Sequence, residues 1–95
     1  MRENIKLFIQ ECNKKIKKEH TKISIWKKRI SECESIIGIV RQTDNSSAVQ
    51  MYRNRIDEYL IKIDNAMDEI RHNENIKLTL KDVDKIIKKE VKKCA

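Results

Sequence analysis

The stretch TDNSS, Thr43 to Ser47, interrupts a chain that otherwise reads as helix from end to end. The chain has no proline, and its one glycine is Gly38. Small polar residues compete locally for backbone hydrogen bonds and favour turns, so five in a row mark a reversal between helices. Ser47 and Gln50 match the S-x-x-Q spacing of a capping box, in which serine accepts from an early backbone N–H and glutamine reaches back. Asp44, Asn45 and Ser46 supply turn chemistry ahead of it. The spacing predicts one helix ending near residue 42 and another starting near residue 48.

Apolar residues recur on both sides of this turn at alternating steps of three and four. Before it they fall at Ile5, Ile9, Cys12 and Ile16, then at Ile23, Trp26, Ile30, Cys33, Ile37 and Val40. Glu19 alone breaks the heptad stripe. After the turn the stripe runs Val49, Tyr52, Ile56, Tyr59, Ile63, Ala66 and Ile70, widened by Leu60 and Met67. It then slips: HNEN (72–75) is polar, and the next apolar set is Ile76, Leu80, Val83, Ile87, Val91 and Cys94. Two accounts fit. A third helix could begin with Thr79 as its cap, or the second helix could continue through a local phase shift.

The fold expected is all-α: one domain over residues 1–95, an elongated antiparallel helical hairpin with helices at about 3–42 and 48–73. A further helical segment over about 78–94 either continues the second helix or follows a break at 72–78. Folding at residue 45 pairs residues whose numbers sum to about 91. Glu19 and His20 then fall opposite Arg71 and His72, so the polar lapses of the two helices form one register-fixing layer, with Glu19 pairing Arg71 or His72. Gly38 marks either close packing or fraying.

Composition excludes several functions. No metal-ligand spacing surrounds His20 or His72, no glycine-rich phosphate loop exists, and no serine sits in a nucleophile elbow. These absences argue against an enzyme and against a cofactor. Cys12 and Cys33 lie on the stripe as small apolar residues; with Cys94 they make neither a zinc pattern nor a disulfide framework, which suits a reducing compartment. No segment is long and apolar enough to span a membrane, and the first apolar cluster is too short for a signal peptide. A cytoplasmic protein is expected, one that could leave the cell with its partner.

The formal charge is +7, and residues 14–29, KKIKKEHTKISIWKKR, hold eight basic residues and one acidic. Lys14, Lys15, Lys17, Lys18, Lys22, Lys27 and Lys28 form a candidate nucleic-acid patch. Two facts weigh against it. Trp26 lies on the stripe, where a ring packs and does not stack on bases, and a lysine-rich composition is also what a low-GC genome produces. The apolar surplus is more informative. Two helices cover one stripe on each other, which leaves Leu7, Phe8, Ile25, Ile36, Ile39, Met51, Leu60, Ile61 and Met67 outside it. Association with another helical protein, or with a second copy in a bundle of four or more helices, follows. The residues expected at that interface are Phe8, Ile25, Ile36, Ile39, Met51, Leu60 and Met67.

Residues 46–70, SSAVQMYRNRIDEYLIKIDNAMDEI, are similar to the second helix of the WXG-type superfamily of the bacterial type VII secretion system. Such helices open on small residues, place an aromatic four or five residues on, and continue with I-x-x-[YF] spacing. The chain departs from that pattern in two places. Its tryptophan, Trp26, lies inside the first helix with no glycine of a W-x-G turn, and Tyr52 and Tyr59 each precede isoleucine, not an acid, at the fourth position. A self-exporting substrate is therefore not implied. The small accessory proteins that bind the helical N-terminal domain of LXG-type toxins fit better. The resemblance implies a targeting factor or chaperone that pairs with such a domain, or with another small hairpin. A toxin-neutralising immunity protein is a further alternative.

Overall fold

The computed structural model describes residues 2–94, and the side chains of residues 2–90. Helix α1 spans Arg2–Val40, a 3-10 turn follows over Arg41–Thr43, and helix α2 spans Ser46–Cys94. Among the described residues only Asp44 and Asn45 fall outside a helix. No strand is present among them, so the chain is all-α.

The turn is built differently from the serine box expected of it. The Thr43 hydroxyl donates to the Val40 carbonyl at 2.6 Å, satisfying a group the end of α1 leaves without a helical partner. Asp44 then takes the left-handed conformation, φ 57 and ψ 27, which short polar side chains tolerate better than most. Asn45 caps α2: its Oδ1 accepts from the Ala48 N–H at 3.1 Å, and its carbonyl accepts from the Val49 N–H at 3.2 Å. The cap is therefore Asn45, not Ser47, which already lies within the helix. Gln50 does not reach back; its Nε2 donates forward to Asn54 Oδ1 at 2.9 Å. Asparagine is at least as good a cap as serine, and the first in line wins.

α2 runs unbroken through HNEN. Thr79 caps nothing; its hydroxyl donates to the Asn75 carbonyl four residues back, as a mid-helix threonine does. Of the two accounts the continuing helix is the one found, and of the apolar set expected beyond HNEN, Ile76, Leu80 and Ile87 are shielded. Beyond Ile70, the residues shielded from solvent among the described ones are Asn73, Ile76 and Lys77, Leu80, Asp84 and Ile87. Asn73, Lys77, Leu80, Asp84 and Ile87 continue the steps of three and four without a slip. Val83, expected on the stripe, is 41% exposed. Val91 and the Cys94 side chain lie outside the described residues.

The chain divides into two compact units, one of Met1–Glu19 with Asp68–Ala95 and one of His20–Met67. The first packs Ile5, Cys12 and Ile16 with Asn73 as its buried residues. Arg2 Nε donates to Asp84 Oδ1 at 3.1 Å, which ties the start of α1 to the later part of α2. The second unit buries Ile23, Cys33, Ile37, Ile63 and Ala66. Cys12 and Cys33 are buried free thiols. Trp26, Ile30, Tyr52, Ile56 and Tyr59 are half-buried on the same stripes. The Arg55 guanidinium lies 5.1 Å from the Tyr52 ring centre and the Lys62 ammonium 5.6 Å from that of Tyr59, covering ring faces the packing leaves open.

Two substitutions test this assignment of roles by urea titration. Asn45→Ala should cost about 1 kcal/mol and Ser47→Ala no more than about 0.5 kcal/mol. A larger loss at Ser47 would return the cap to the serine. Gly38 is exposed and nothing lies within 4 Å of where its Cβ would stand, so close packing does not explain it. Gly38→Ala should therefore stabilise the chain by roughly 0.5–1 kcal/mol.

Candidate partner-binding surface

The His20–Met67 unit carries a second set of heptad stripes beside the packed ones. On α1, Lys22, Ile25, Arg29, Glu32, Ile36 and Ile39 recur at steps of three and four, one helix face round from the core stripe. Ile25 is 51% exposed and Ile39 65%, while Ile36 is half-buried. On α2, Gln50, Arg53, Asp57, Leu60, Asp64 and Met67 follow the same steps, with Leu60 and Met67 both exposed. Met51 is exposed but belongs to a different row of α2. The interface residues expected in this unit thus fall on three rows: Ile25, Ile36 and Ile39 together, Leu60 and Met67 together, and Met51 alone.

The other unit carries Phe8, 61% exposed, and its neighbour Leu7 in a shallow groove with Asn4 and Glu11. It also contains the polar stretch read as a register layer. Of those residues Glu19 is half-buried on the stripe, whereas Arg71 and His72 are exposed. Arg71 Nη2 donates to Asp68 Oδ1 at 2.8 Å along its own helix. His20, which belongs to the His20–Met67 unit, is exposed as well. The buried polar residue is Asn73, only 3% exposed, whose Nδ2 donates to the Glu69 carbonyl at 2.8 Å. Sequence reasoning followed apolar residues and passed over it. Extending the step pattern from Ile70 by three would have reached Asn73, and by seven Lys77. Lys77 keeps its stem covered and its ammonium 3.9 Å from Glu74, as long basic side chains do at the edge of a core.

Asp84 occupies the stripe two turns further on. Partial burial raises the pKa of its carboxyl, but the hydrogen bond and charge of Arg2, with help from Lys88, outweigh that and hold it below the ordinary carboxylate value.

Charge is distributed unequally. α1 holds ten basic and five acidic residues, α2 eleven and nine. Most of the positive excess therefore sits on α1, where Lys14, Lys15, Lys17, Lys18, Lys27 and Lys28 are exposed and Lys22 half-buried. Among the described residues no group of histidines, cysteines and acids is placed to hold a metal ion, and no helix is long and apolar enough to cross a membrane. Searches of protein-family models, of curated proteins and of solved structures return no match to this chain.

Two outcomes follow for the polar positions. Asn73→Leu replaces a buried amide with a hydrocarbon of similar size and should raise stability by about 1 kcal/mol or more in a denaturant titration. A loss would mean that Asn73 contributes net stability through more than its single bond. Asp84 has the lower pKa in the folded chain, so the unfolded chain binds the extra proton and stability falls as pH drops below about 4 through the folded value. Asp84→Asn should flatten that part of the stability curve, measured by thermal melts between pH 7 and pH 2.5. An unchanged acid limb would show that the Arg2 pair does not persist in solution.

Proposed function

We propose that this chain is a protein-binding helical hairpin whose two helices pack antiparallel along their core stripes and whose α1 outer row receives a helix of another protein. The observation that carries this reading is the exposure of Ile25 and Ile39 on one row with Ile36. Three isoleucines aligned at helical spacing on an outer face are what helix-face recognition requires. The core is too thin to explain them: eight apolar residues are buried in the described part of the chain, none of them fully. A small domain with that little burial gains stability by covering further apolar surface in a complex.

In its narrower form the protein is an accessory factor of type VII secretion. It would hold the helical N-terminal domain of an LXG-type toxin, as targeting factor or chaperone, before export. The likeness of residues 46–70 to WXG-type helices supports this. So does the half-buried position of Tyr52, the aromatic that the likeness rests on. The nucleic-acid alternative is disfavoured because Trp26 is half-buried in the α1 core stripe, which leaves the lysine face without an aromatic platform.

The test is co-purification with the helical N-terminal domain of an LXG-type toxin from the same genome. The wild-type chain should form a stable complex, and the Ile25→Glu/Ile36→Glu double variant should lose it while keeping its far-ultraviolet circular dichroism. Full binding by that variant would remove α1 from the interface. No complex with the wild-type chain would refute the secretion reading.

A further inference from the structure

α2 carries a row that its core stripe leaves out. Leu78, Lys81, Lys85 and Lys88 follow one another at steps of three, four and three, so they share one face of the helix. That row forms one wall of a groove whose other wall is α1, at Lys6 and Ile9. The groove holds about 260 Å³, and the residues that line it belong to the unit of Met1–Glu19 with Asp68–Ala95. We propose that this groove binds an acidic peptide segment that carries one apolar side chain. The apolar side chain lies on Ile9 and Leu78, and the carboxylates follow the lysines.

The charge of the four lysines is only partly answered within the chain. Asp84, on the same wall, is already engaged: it pairs with Arg2 at 3.1 Å and with Lys88 at 3.5 Å. Lys6, Lys81 and Lys85 are exposed and have no ion-pair partner among the described residues. Asp82, the other acid of the groove, is exposed and offsets one of the three. Lys81 and Lys85 stand four residues apart, a spacing at which like charges cost helix stability. Carboxylates set between them turn that repulsion into attraction. The whole unit reinforces the choice, since fourteen basic residues against nine acidic give it +5 of the chain's +7. An acidic partner is drawn to it at a distance.

The apolar residues decide which acidic partner fits. Leu78 is 59% exposed and Ile9 half-buried. A phosphate backbone gains nothing from them, and none of the described residues lining the groove is an aromatic on which a base could stack. A lipid surface is flat and meets the exposed lysines, not the half-buried Ile9. A free organic acid is too short, because the row from Lys81 to Lys88 runs about 10 Å at 1.5 Å per residue. A peptide supplies both parts: a hydrocarbon side chain and several carboxylates in series. The groove shares no residue with the Ile25, Ile36 and Ile39 row, so the two surfaces are tested separately.

Fluorescence anisotropy of the full chain tests the proposal with a labelled peptide of glutamates flanking a single leucine. The wild-type chain should bind it with a dissociation constant below about 100 μM at low salt. A peptide with glutamines in place of the glutamates should not bind. Lys81→Gln/Lys85→Gln should weaken binding by about tenfold, and Leu78→Ser by about fivefold, with far-ultraviolet circular dichroism unchanged. Lys14→Gln/Lys15→Gln removes the same charge elsewhere in the unit and should leave binding within about twofold. Ile25→Glu/Ile36→Glu should bind as the wild type does.

No binding by the wild-type chain, an equal loss in the Lys14→Gln/Lys15→Gln variant, or no loss in Leu78→Ser would each overturn the groove. Tighter binding, dependent on Leu78, to oligothymidylate or to phosphatidylglycerol vesicles would give it another occupant and overturn the peptide. A chain that holds a toxin domain through Ile25 and Ile36 yet ignores the peptide would sink the groove alone. Groove-dependent peptide binding by a chain that holds no such domain would sink only the secretion reading.

Discussion

Everything in this protein depends on one constraint: a helix that packs against one neighbour can hide only one stripe. α1 and α2 satisfy it with residues spaced at three and four, so that each turn adds one layer to a narrow core. The layers are thin. Isoleucine, cysteine and alanine fill most of them, and even the best covered apolar residue, Ala66, retains 3% exposure. At about 25 cal/mol per Å² of apolar surface, a core of this width offsets the ordering of two long helices with little to spare. The capped turn at Asn45 and the Arg2–Asp84 pair add polar restraints to that core.

The seam of α1 was legible in the sequence almost residue by residue. Ile5, Cys12, Ile16, Ile23, Cys33 and Ile37 are buried as their spacing requires, and Glu19 is the half-buried exception in the position the pattern gave it. The outer apolar residues were legible for the same reason: a residue off the stripe has nothing to cover it. Beyond Ile70 the apolar set was legible at Ile76, Leu80 and Ile87 but not at Val83, and the polar members of the stripe escaped because hydrophobicity marks only apolar burial. Asn73, Lys77 and Asp84 hold stripe positions through backbone geometry, and a polar residue there is invisible to a search for apolar ones. The turn was misread for a different reason. Asn45 and Ser47 are both good caps, and the choice between them is made by which backbone N–H groups lie in reach once Asp44 has turned left-handed.

The two units differ in what they put on the stripe. In His20–Met67 it is apolar or aromatic throughout, and cations on Tyr52 and Tyr59 seal its edge. In the other unit Glu19, Asn73, Lys77 and Asp84 share it with Ile5, Cys12 and Ile16. Polar seam residues lower stability and raise specificity, since an amide or a charge is satisfied in one register and stranded in others. An apolar seam by itself can slide by a heptad at little cost. Arg2–Asp84 is a polar contact of the aligning kind between α1 and α2, whereas the Asn73 and Lys77 contacts lie within α2 itself.

The same logic extends outward to the α1 face. Three isoleucines alone would attract any apolar surface, and a chain of net charge +7 with most of its excess on one helix would attract any acidic one. Neither property distinguishes partners. What does is the order of the residues along the row. Basic and acidic side chains at Arg29 and Glu32, flanked symmetrically by Ile25 and Ile36, form a pattern that reads the same when reversed with the charges exchanged. A helix matching it must present the opposite sign at each central position and an apolar residue four or so beyond. In the proposed complex, discrimination at this face comes from the two charged positions, because an ill-matched helix would bury like charges beside each other while gaining the same apolar contact.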